Sequence, residues 1–298
     1  MTGRPRSRPG PLSLSRLAAE GLAMEAQAAQ EAGELGYMAR LLVQATMPHS
    51  DPKTLRVERS NGLVTLRMTA TGDGLPYGGI PRLLLAWVTT EAVRTRERTV
   101  TLGPTLSGFM AQLDLVPTGG RWGTIPRLRG QMRRLFTSVV SATYDNRPEG
   151  RWDYTAIPVA DQVHDFWDPQ RPDQAALWES TVTLGERFFL EILERPVPVD
   201  MRALRALKRS PLALDLYTWL TYRMSYLRAP TAIPWEALHA QFGADYGLIR
   251  HFRAEVRRAL GAVAMVYPEA RVDASSASAI RLVPSPPHIT AAAQLSLL

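Results

Sequence analysis

One short pattern of residue types occurs twice in this sequence. The order apolar, Arg, small, Gln or Glu, apolar, Arg, Arg is found at 128–134 and again at 252–258. Each copy lies in a segment with helical periodicity, preceded by a long apolar helix pattern and a shorter one. A match of this length can arise by chance, but the same order of elements around both copies indicates a duplicated folding unit. The chain is therefore expected to contain two related units.

Hydrophobic periodicity, caps and turn residues predict the elements of both units. The first unit should contain helices at Ile80–Thr95, Thr105–Leu115 and Thr124–Tyr144, then strands at Arg151–Ile157, Gln162–Trp167 and Ala176–Leu184. The second should contain helices at Pro211–Leu227, with Ser210 as N-cap, at Pro234–Phe242 and at Tyr246–Met265, then strands at Ala270–Asp273 and Ala279–Val283. A helix, a short helix, a longer basic helix and a hairpin follow one another in this order in a winged helix.

The predicted fold is therefore α+β and mainly helical, with two tandem winged-helix domains and an N-terminal basic and helical extension. An added hairpin is expected at Leu55–Arg59 and Leu63–Met68, because Asn61-Gly62 between them accepts the positive φ of a tight turn. The expected divisions are a basic arm and Ala-rich extension at 1–36, the first winged-helix domain with the hairpin at 37–195, the second at 196–289 and a flexible tail at 290–298.

The charge of the chain favours a polyanionic partner. The formal net charge is +7 and the pI is about 10.0. Basic residues are concentrated in two stretches, because 201–260 holds ten Lys and Arg against four acids and 121–134 holds five Arg and no acid. Since the longest apolar run covers only 83–88 and no signal peptide is visible, a cytoplasmic, bacterial protein without membrane contact is expected. Without cysteine, disulfides and thiolate metal sites are excluded.

Helical phase decides whether these arginines can face DNA. In each longer basic helix the apolar residues gather on one side and the arginines on the other, as one core face and one phosphate face require. Gln131 and Arg250 are the candidates for reading bases, since Gln pairs with adenine and Arg with guanine in the major groove. The predicted DNA-binding residues are Arg121, Trp122, Thr124, Arg127, Gln131 and Arg134 in the first unit, and Arg250, His251, Arg253, Arg257, Arg258, Arg271 and Arg281 in the second.

Several segments, in order along the chain, resemble the plasmid replication initiators of the RepA C-terminal family. They are Gly78–Trp87, Thr118–Ile125, Leu177–Thr181, Met201–Lys208, Phe242–Tyr246 and Pro284–His288. The resemblance runs from about Tyr37 to Ile289 and implies a plasmid-encoded initiator, involved in copy control, that binds repeated double-stranded sites in its origin. It also implies local melting of DNA and recruitment of host replication proteins such as the helicase and the host initiator. A monomer–dimer equilibrium is a separate expectation.

The C-terminal residues resemble a peptide by which bacterial replication proteins dock on the sliding clamp. The usual form is Gln-Leu-Ser/Asp-Leu-Phe, and this chain has Gln294, Leu295, Ser296, Leu297 and Leu298, with Leu where Phe is usual. A glutamine and several leucines on a tail can fill an apolar groove. The alternative is an apolar tail that frays or folds back on its own domain.

Nothing in the sequence predicts catalysis, a cofactor or a metal. No glycine-rich segment has the Gly-Lys-Ser/Thr of a phosphate-binding loop, and the five histidines are dispersed rather than at ligand spacing. An origin-nicking tyrosine enzyme is the remaining enzymatic alternative, and a winged-helix repressor without initiation activity is the non-enzymatic one. Among the tryptophans, Trp87, Trp178, Trp219 and Trp235 are expected to pack in the core, whereas Trp122, which lies among arginines, is a candidate for stacking on bases.

Overall fold

The computed structural model describes residues 29, 31–44, 46–61, 64–146, 149–243 and 246–289. Most of the predicted arm and extension at 1–36, and the predicted tail at 290–298, lie outside these residues. The described helices are α1 Arg40–Gln44, α2 Gly79–Thr95, α3 Leu106–Gln112, α4 Thr124–Phe136, α5 Glu186–Glu194, α6 Met201–Leu207, α7 Pro211–Tyr226, α8 Trp235–Phe242 and α9 Ile249–Val266. The strands are β1 Leu35–Met38, β2 Arg56–Asn61, β3 Val64–Ala70, β4 Thr99–Gly103, β5 Ser138–Asn146, β6 Arg151–Pro158, β7 Ala160–His164, β8 Ser180–Leu184, β9 Val197–Asp200, β10 Thr231–Pro234, β11 Arg271–Asp273 and β12 Ala279–Val283.

One order of elements occurs twice along the chain. The first copy runs α2, β4, α3, α4, β7, β8, with β5 and β6 inserted between α4 and β7, and its antiparallel sheet has the strand order β4-β8-β7. The second runs α7, β10, α8, α9, β11, β12, and its antiparallel sheet has the strand order β10-β12-β11. In both sheets the strand that follows the first helix pairs with the last strand. We call these copies repeat 1 and repeat 2.

Three of the described helices start at a side-chain cap, and Asp200, which accepts the Arg202 N–H, is the cap of α6. Ser210 accepts the backbone N–H of Ala213 at 3.2 Å and Pro211 follows it, so α7 begins as its sequence predicted. Thr105 accepts the N–H of Gly108 at 3.1 Å and caps α3, which ends at Gln112 rather than at Leu115. The caps of α3 and α7 place these two helices within a few residues of the predicted bounds.

Repeat 1 carries an insertion that the sequence only partly predicted. The hairpin β2–β3 is confirmed, and it pairs through β3 with β5 to give an antiparallel sheet of order β2-β3-β5-β6. The helix predicted to reach Tyr144 is wrong in its second half, because α4 ends at Phe136 and 138–146 forms β5. The hydroxyl of Thr137 donates to the Arg133 carbonyl at 2.7 Å, and the β-branched residues Val139 and Val140 follow in the strand.

A continuous apolar core joins the two repeats. Its largest fully buried side chains include Phe109 in α3 and Phe188 in α5, and Trp235 in α8 and Phe252 in α9. The start of α2 approaches the α6–α7 connection closely, since a Cβ on Gly79 would lie 2.3 Å from the Lys208 carbonyl oxygen. The two repeats therefore pack against each other through their first helices, α2 and α7.

The tryptophans divide into a buried and an exposed group. Trp87, Trp219 and Trp235 are buried as expected, and Trp167 joins them. The expectation for Trp178 is wrong, because its side chain is 70% exposed in the long β7–β8 connection. No helix in the described part of the chain has the length and apolar character needed to cross a membrane.

Candidate nucleic-acid interface

Helix α9 has two chemically distinct faces. Phe252, Val256 and Val263 are buried on one side, together with the alanines at 259 and 262. Arg250, His251, Arg257 and Arg258 are exposed on the other side. The amphipathic pattern follows from the 3.6-residue period of the helix. The described surface therefore gathers four of the predicted residues on one helix face.

Two arginines of α9 lie over one buried aromatic ring. The guanidinium carbons of Arg253 and Arg257 are 5.7 Å and 5.5 Å from the centroid of the Trp235 ring. Arg257 Nε also donates to the carbonyl of Ala274 at 2.7 Å, and Trp235 Nε1 donates to the carbonyl of Ser276 at 3.1 Å. These contacts join α9 to the β11–β12 connection, so Arg257 positions that hairpin while part of it stays exposed.

The hairpin β11–β12 adds two more predicted residues. Arg271 and Arg281 are both exposed, and Arg281 lies opposite Asp273 in the antiparallel register. Hydrogen bonds from Ser275 hold the pKa of Asp273 below its usual value, and Ser275 N–H donates to its carboxylate at 2.9 Å. The connection at 274–278 contains only Ala and Ser, so the hairpin carries two cations and one anion.

The helix α4 in repeat 1 shows a narrower basic face. Ile125, Leu128 and Met132 are buried, and Arg127 and Arg133 are exposed. Gln131 does not lie on the exposed side where its helical phase was expected to place it, because it is 7% exposed. Its carboxamide oxygen accepts the backbone N–H of Tyr77 at 2.8 Å, which explains why a polar side chain is buried there.

Two further arginines of α4 are held by contacts within the chain. Arg129 pairs with Asp165 at 2.7 Å, and both side chains are about one-fifth exposed. Arg134 lies over the ring of Tyr77, 5.2 Å from its centroid, and donates to the Leu75 carbonyl at 3.1 Å. Arg134, a predicted DNA-binding residue, therefore stabilises the segment before α2 in this conformation.

The turn before α4 presents the remaining predicted residues. The hydroxyl of Thr124 accepts the Thr118 N–H at 2.9 Å, and the Thr118 hydroxyl accepts the Thr124 N–H at 2.8 Å. Thr124 is thus engaged in fixing the turn. Arg121 and Trp122 are exposed at its outer side, with the Arg121 guanidinium 5.0 Å from the centre of the indole.

Sequence reasoning missed the character of the β7–β8 connection. Residues 165–179 hold four acids and one arginine, and Phe166, Leu177 and Trp178 are exposed there at 48%, 97% and 70%. The acidic residues could have been counted from the sequence, but the hairpin that presents them could not be located until its strands were placed. The hairpin of repeat 1 is therefore acidic where that of repeat 2 is basic.

The structure bears on metal binding but not on the predicted clamp peptide. In the part of the chain that the structure describes, no three His, Asp or Glu side chains are grouped so that they could hold a metal ion. The predicted clamp peptide Gln294–Leu298 lies outside the described residues and stays a prediction.

Comparison with solved structures places the fold. The chain is similar to domains 2 and 3 of RctB, in a crystal structure of a selenomethionine derivative, with a TM-score of 0.52 and 12% identity over 82% of this chain and 95% of that one. A second crystal structure of RctB domains 2–3 gives a TM-score of 0.48 and 11% identity over 87% and 99%. No curated protein sequence matches the chain. At these identities the likeness concerns the fold alone.

The sequence match is more specific. The family model of the plasmid-encoded RepA protein matches residues 75–236, which is more than half of the chain and runs from the segment before α2 to the start of α8. The chain belongs to the plasmid-encoded RepA protein family, which places it at family level among plasmid replication initiators, and the expected resemblance is confirmed.

Proposed function

We propose that this protein is a plasmid replication initiator that binds repeated double-stranded sites in its origin through two winged-helix modules, formed by repeat 1 and repeat 2. In this proposal it promotes local melting and recruits host replication proteins, and it has no catalytic activity or cofactor of its own. Family membership supports initiation, and the arrangement of α9 supports the mode of DNA binding.

The order of elements in each repeat supports the winged-helix assignment. A winged helix places a second helix across the DNA backbone and a recognition helix in the major groove, next to a β-hairpin wing. In repeat 2 these roles fall to α8, α9 and β11–β12, and in repeat 1 to α3, α4 and β7–β8. Two modules on one chain could contact major-groove faces roughly 10 bp apart.

The exposed arginine face of α9 is the observation that carries the proposal. Guanidinium groups on such a face neutralise phosphates and release counterions, which gives affinity that is independent of sequence and sensitive to salt. Arg250 stands near the N-terminal end of α9, where recognition helices meet base edges, and a bidentate pair with guanine would add specificity. Arg258 pairs with Glu255, but both side chains are exposed enough for a phosphate to replace that contact.

Melting in this proposal needs no nucleotide hydrolysis. Bound modules that bend or untwist a flexible AT-rich segment can destabilise it, at a deformation cost of order 1–6 kcal/mol that additional contacts offset. The host proteins that are recruited are to be identified by experiment. The sliding clamp is one candidate, through the peptide at 294–298. Self-association between monomer and dimer remains part of the proposal.

The salt dependence of DNA binding tests the α9 assignment. The double variant Arg250→Ala/Arg258→Ala should lower duplex affinity, reduce the slope of log K against log salt by about one because the Arg258 phosphate contact is lost, and weaken discrimination at the guanine that Arg250 contacts. The matched control is Arg187→Ala/Arg195→Ala, which removes two exposed charges from the region of α5, including one paired with a neighbouring glutamate. Equal slopes for both variants and the parent would contradict binding through α9.

A second experiment tests initiation itself. An origin fragment should replicate when this protein is supplied in trans, and footprinting of DNA flanking the gene should reveal tandem direct repeats. A protein that only silences a promoter and protects a single inverted repeat would be the repressor alternative. Incubation of supercoiled origin plasmid with magnesium should give no open circles, and their appearance would contradict the absence of nicking activity.

A further inference from the structure

Three of the seven tryptophans are exposed. Trp122, Trp152 and Trp178 are 75%, 63% and 70% exposed, whereas the other four are at most 8% exposed. An indole is among the largest apolar groups that a protein can bury, so each exposed ring is a candidate contact for a partner. The surroundings of the three rings differ, and the difference indicates which of them can meet nucleic acid.

Two of the exposed rings lie beside carboxylates. Trp152 stacks on Tyr154 at a centroid distance of 6.0 Å, and Asp145 lies opposite it in the register, while Asp153 lies on the other face of β6 and pairs with Arg151. Trp178 precedes Glu179 in the acidic β7–β8 connection. Phosphates that approached either ring would meet negative charge, so both are poor sites for DNA.

Trp122 has the opposite surroundings. No Asp or Glu occurs between Asp114 and Asp145, and this interval contains Arg121, Arg127 and Arg133, all of them exposed. The Arg121 guanidinium lies 5.0 Å from the centre of the indole, and Gly123 after it is the N-cap of α4. The ring therefore stands beside the start of the basic helix, among exposed arginines that can hold a phosphate.

The turn that carries Trp122 is fixed in place. Besides the paired bonds between Thr118 and Thr124, the Ile125 N–H donates to the Thr118 carbonyl at 3.2 Å. Gly123 packs so closely that a Cβ would lie 2.1 Å from the Thr118 carbonyl oxygen, and Gly120 has a φ of 78°. A ring held by such a turn loses little freedom on binding, which favours stacking over a loose hydrophobic contact.

We propose that Trp122 is a stacking site for an unpaired nucleobase, which holds one melted strand of the origin while α4 contacts the adjacent phosphates. The inference rests on the proposed function, because it requires α4 to face DNA. Stacking of a base on an aromatic side chain tolerates any sequence, since every base has a π face. The site therefore adds single-strand affinity without contributing to recognition of the duplex repeats.

The test compares single-stranded and duplex DNA with the full-length chain. The probes are fluorescein-labelled oligothymidine of about 20 nucleotides and a random-sequence duplex of about the same length, a size chosen to cover one binding site. Trp122→Ala should bind oligothymidine about tenfold more weakly, keep its duplex affinity within about twofold, and be rescued by Trp122→Phe. Trp178→Ala, which removes an equally exposed ring from acidic surroundings, should behave as the parent.

Fluorescence supplies a second readout that a structural role would not change. Stacking quenches indole emission, so oligothymidine should quench the parent and Trp178→Phe but quench Trp122→Phe much less. Unchanged oligothymidine affinity in Trp122→Ala, or equal losses on both probes, would overturn the stacking site. A parent protein that fails to bind the duplex would instead contradict the proposed function, and the single-strand result would still decide the role of Trp122.

Discussion

Arg82 and Asp215 form an ion pair through two contacts, Nε to Oδ1 and Nη2 to Oδ2, each 2.6 Å long. Arg82 belongs to α2 and Asp215 to α7, so the pair joins the first helices of the two repeats. The arginine side chain is 2% exposed, and its remaining N–H groups donate to the carbonyls of Met47, Pro48 and Gly78. Every N–H group of the buried guanidinium therefore has a hydrogen-bond acceptor.

The charge state of Asp215 follows from the same contacts. Burial alone would raise its pKa, but the adjacent Arg82 guanidinium, together with His49 at 2.9 Å, holds the pKa below its usual value. The pair is therefore ionised in the folded protein. A buried pair of this kind adds little net stability by itself, but it becomes costly when one partner is removed.

Replacing one partner should destabilise the protein strongly. Arg82→Met leaves a buried carboxylate without its cation and should lower the free energy of unfolding by about 3–5 kcal/mol, as measured by urea denaturation. The double variant Arg82→Met/Asp215→Leu should recover much of that loss, because no unpaired charge remains. Arg94→Met, which breaks an exposed pair with Glu91, should cost less than about 1 kcal/mol. Equal losses of unfolding free energy in Arg82→Met and Arg94→Met would contradict the role of burial.

Gln131 should contribute to stability rather than to base readout. Gln131→Leu leaves the Tyr77 N–H without its acceptor and should cost about 1 kcal/mol or more in urea denaturation, because an unsatisfied buried donor loses its hydration. The relative affinities for different duplex sequences should stay the same in a competition assay. A changed preference at one base pair would show that the side chain leaves Tyr77 to enter the groove.

The order of elements was predictable because it depends on local signals. Ser210-Pro211 set the start of α7, and the sequence Asn61-Gly62 predicted the β2–β3 hairpin, whose strands pair as expected. The end of α4 was missed because amphipathic periodicity continues past Phe136 in the sequence. The pairing of β5 with β3 decides the conformation there, and that partner lies about 70 residues earlier in the chain.

The exposed face of the candidate interface was predictable from the sequence, but the contacts of its arginines were not. Helical phase identifies the exposed face of α9 correctly, because one face packs on the core and the other is left to solvent. Phase alone could not show that Arg129 pairs with Asp165 or that Arg257 reaches the Ala274 carbonyl, since both partners come from other elements. Arg82 did leave a signal, as the single charged residue within the apolar first turns of α2.

His288 anchors the segment after β12 against the core. Its Nδ1 lies 2.8 Å from the Tyr217 hydroxyl, and its ring stacks on Tyr267 with centroids 4.8 Å apart. The Tyr217 hydroxyl accepts the Asp200 N–H at 2.9 Å, so its own hydrogen is free for neutral His288. A proton on Nδ1 would remove that acceptor.

Stability should therefore fall as the pH is lowered. Burial lowers the pKa of His288, and the positive charge of Arg202 lowers it further. The negative charges of Asp200 and Glu269 raise it, but the net shift is downward. The unfolded chain then binds a proton more readily below about pH 6.5, the ordinary pKa of histidine, so the free energy of unfolding declines until the folded pKa is reached. Urea denaturation between about pH 8 and 5.5 should show this decline, and His288→Gln should reduce it. A parallel pH profile in the variant would contradict the assignment.

The two hairpins should respond to charge removal in opposite directions. Arg271→Ala/Arg281→Ala removes two exposed cations beside α9 and should lower duplex affinity, with a salt slope smaller by about two. Asp173→Asn/Glu179→Gln removes two exposed anions from the β7–β8 connection and should raise duplex affinity, because fewer carboxylates then repel phosphates. Fluorescence anisotropy over a salt series measures both. Weaker binding after removal of the anions would mean that the first hairpin contacts DNA through its carboxylates, whereas no change would place it more than about 10 Å, one Debye length, from the duplex.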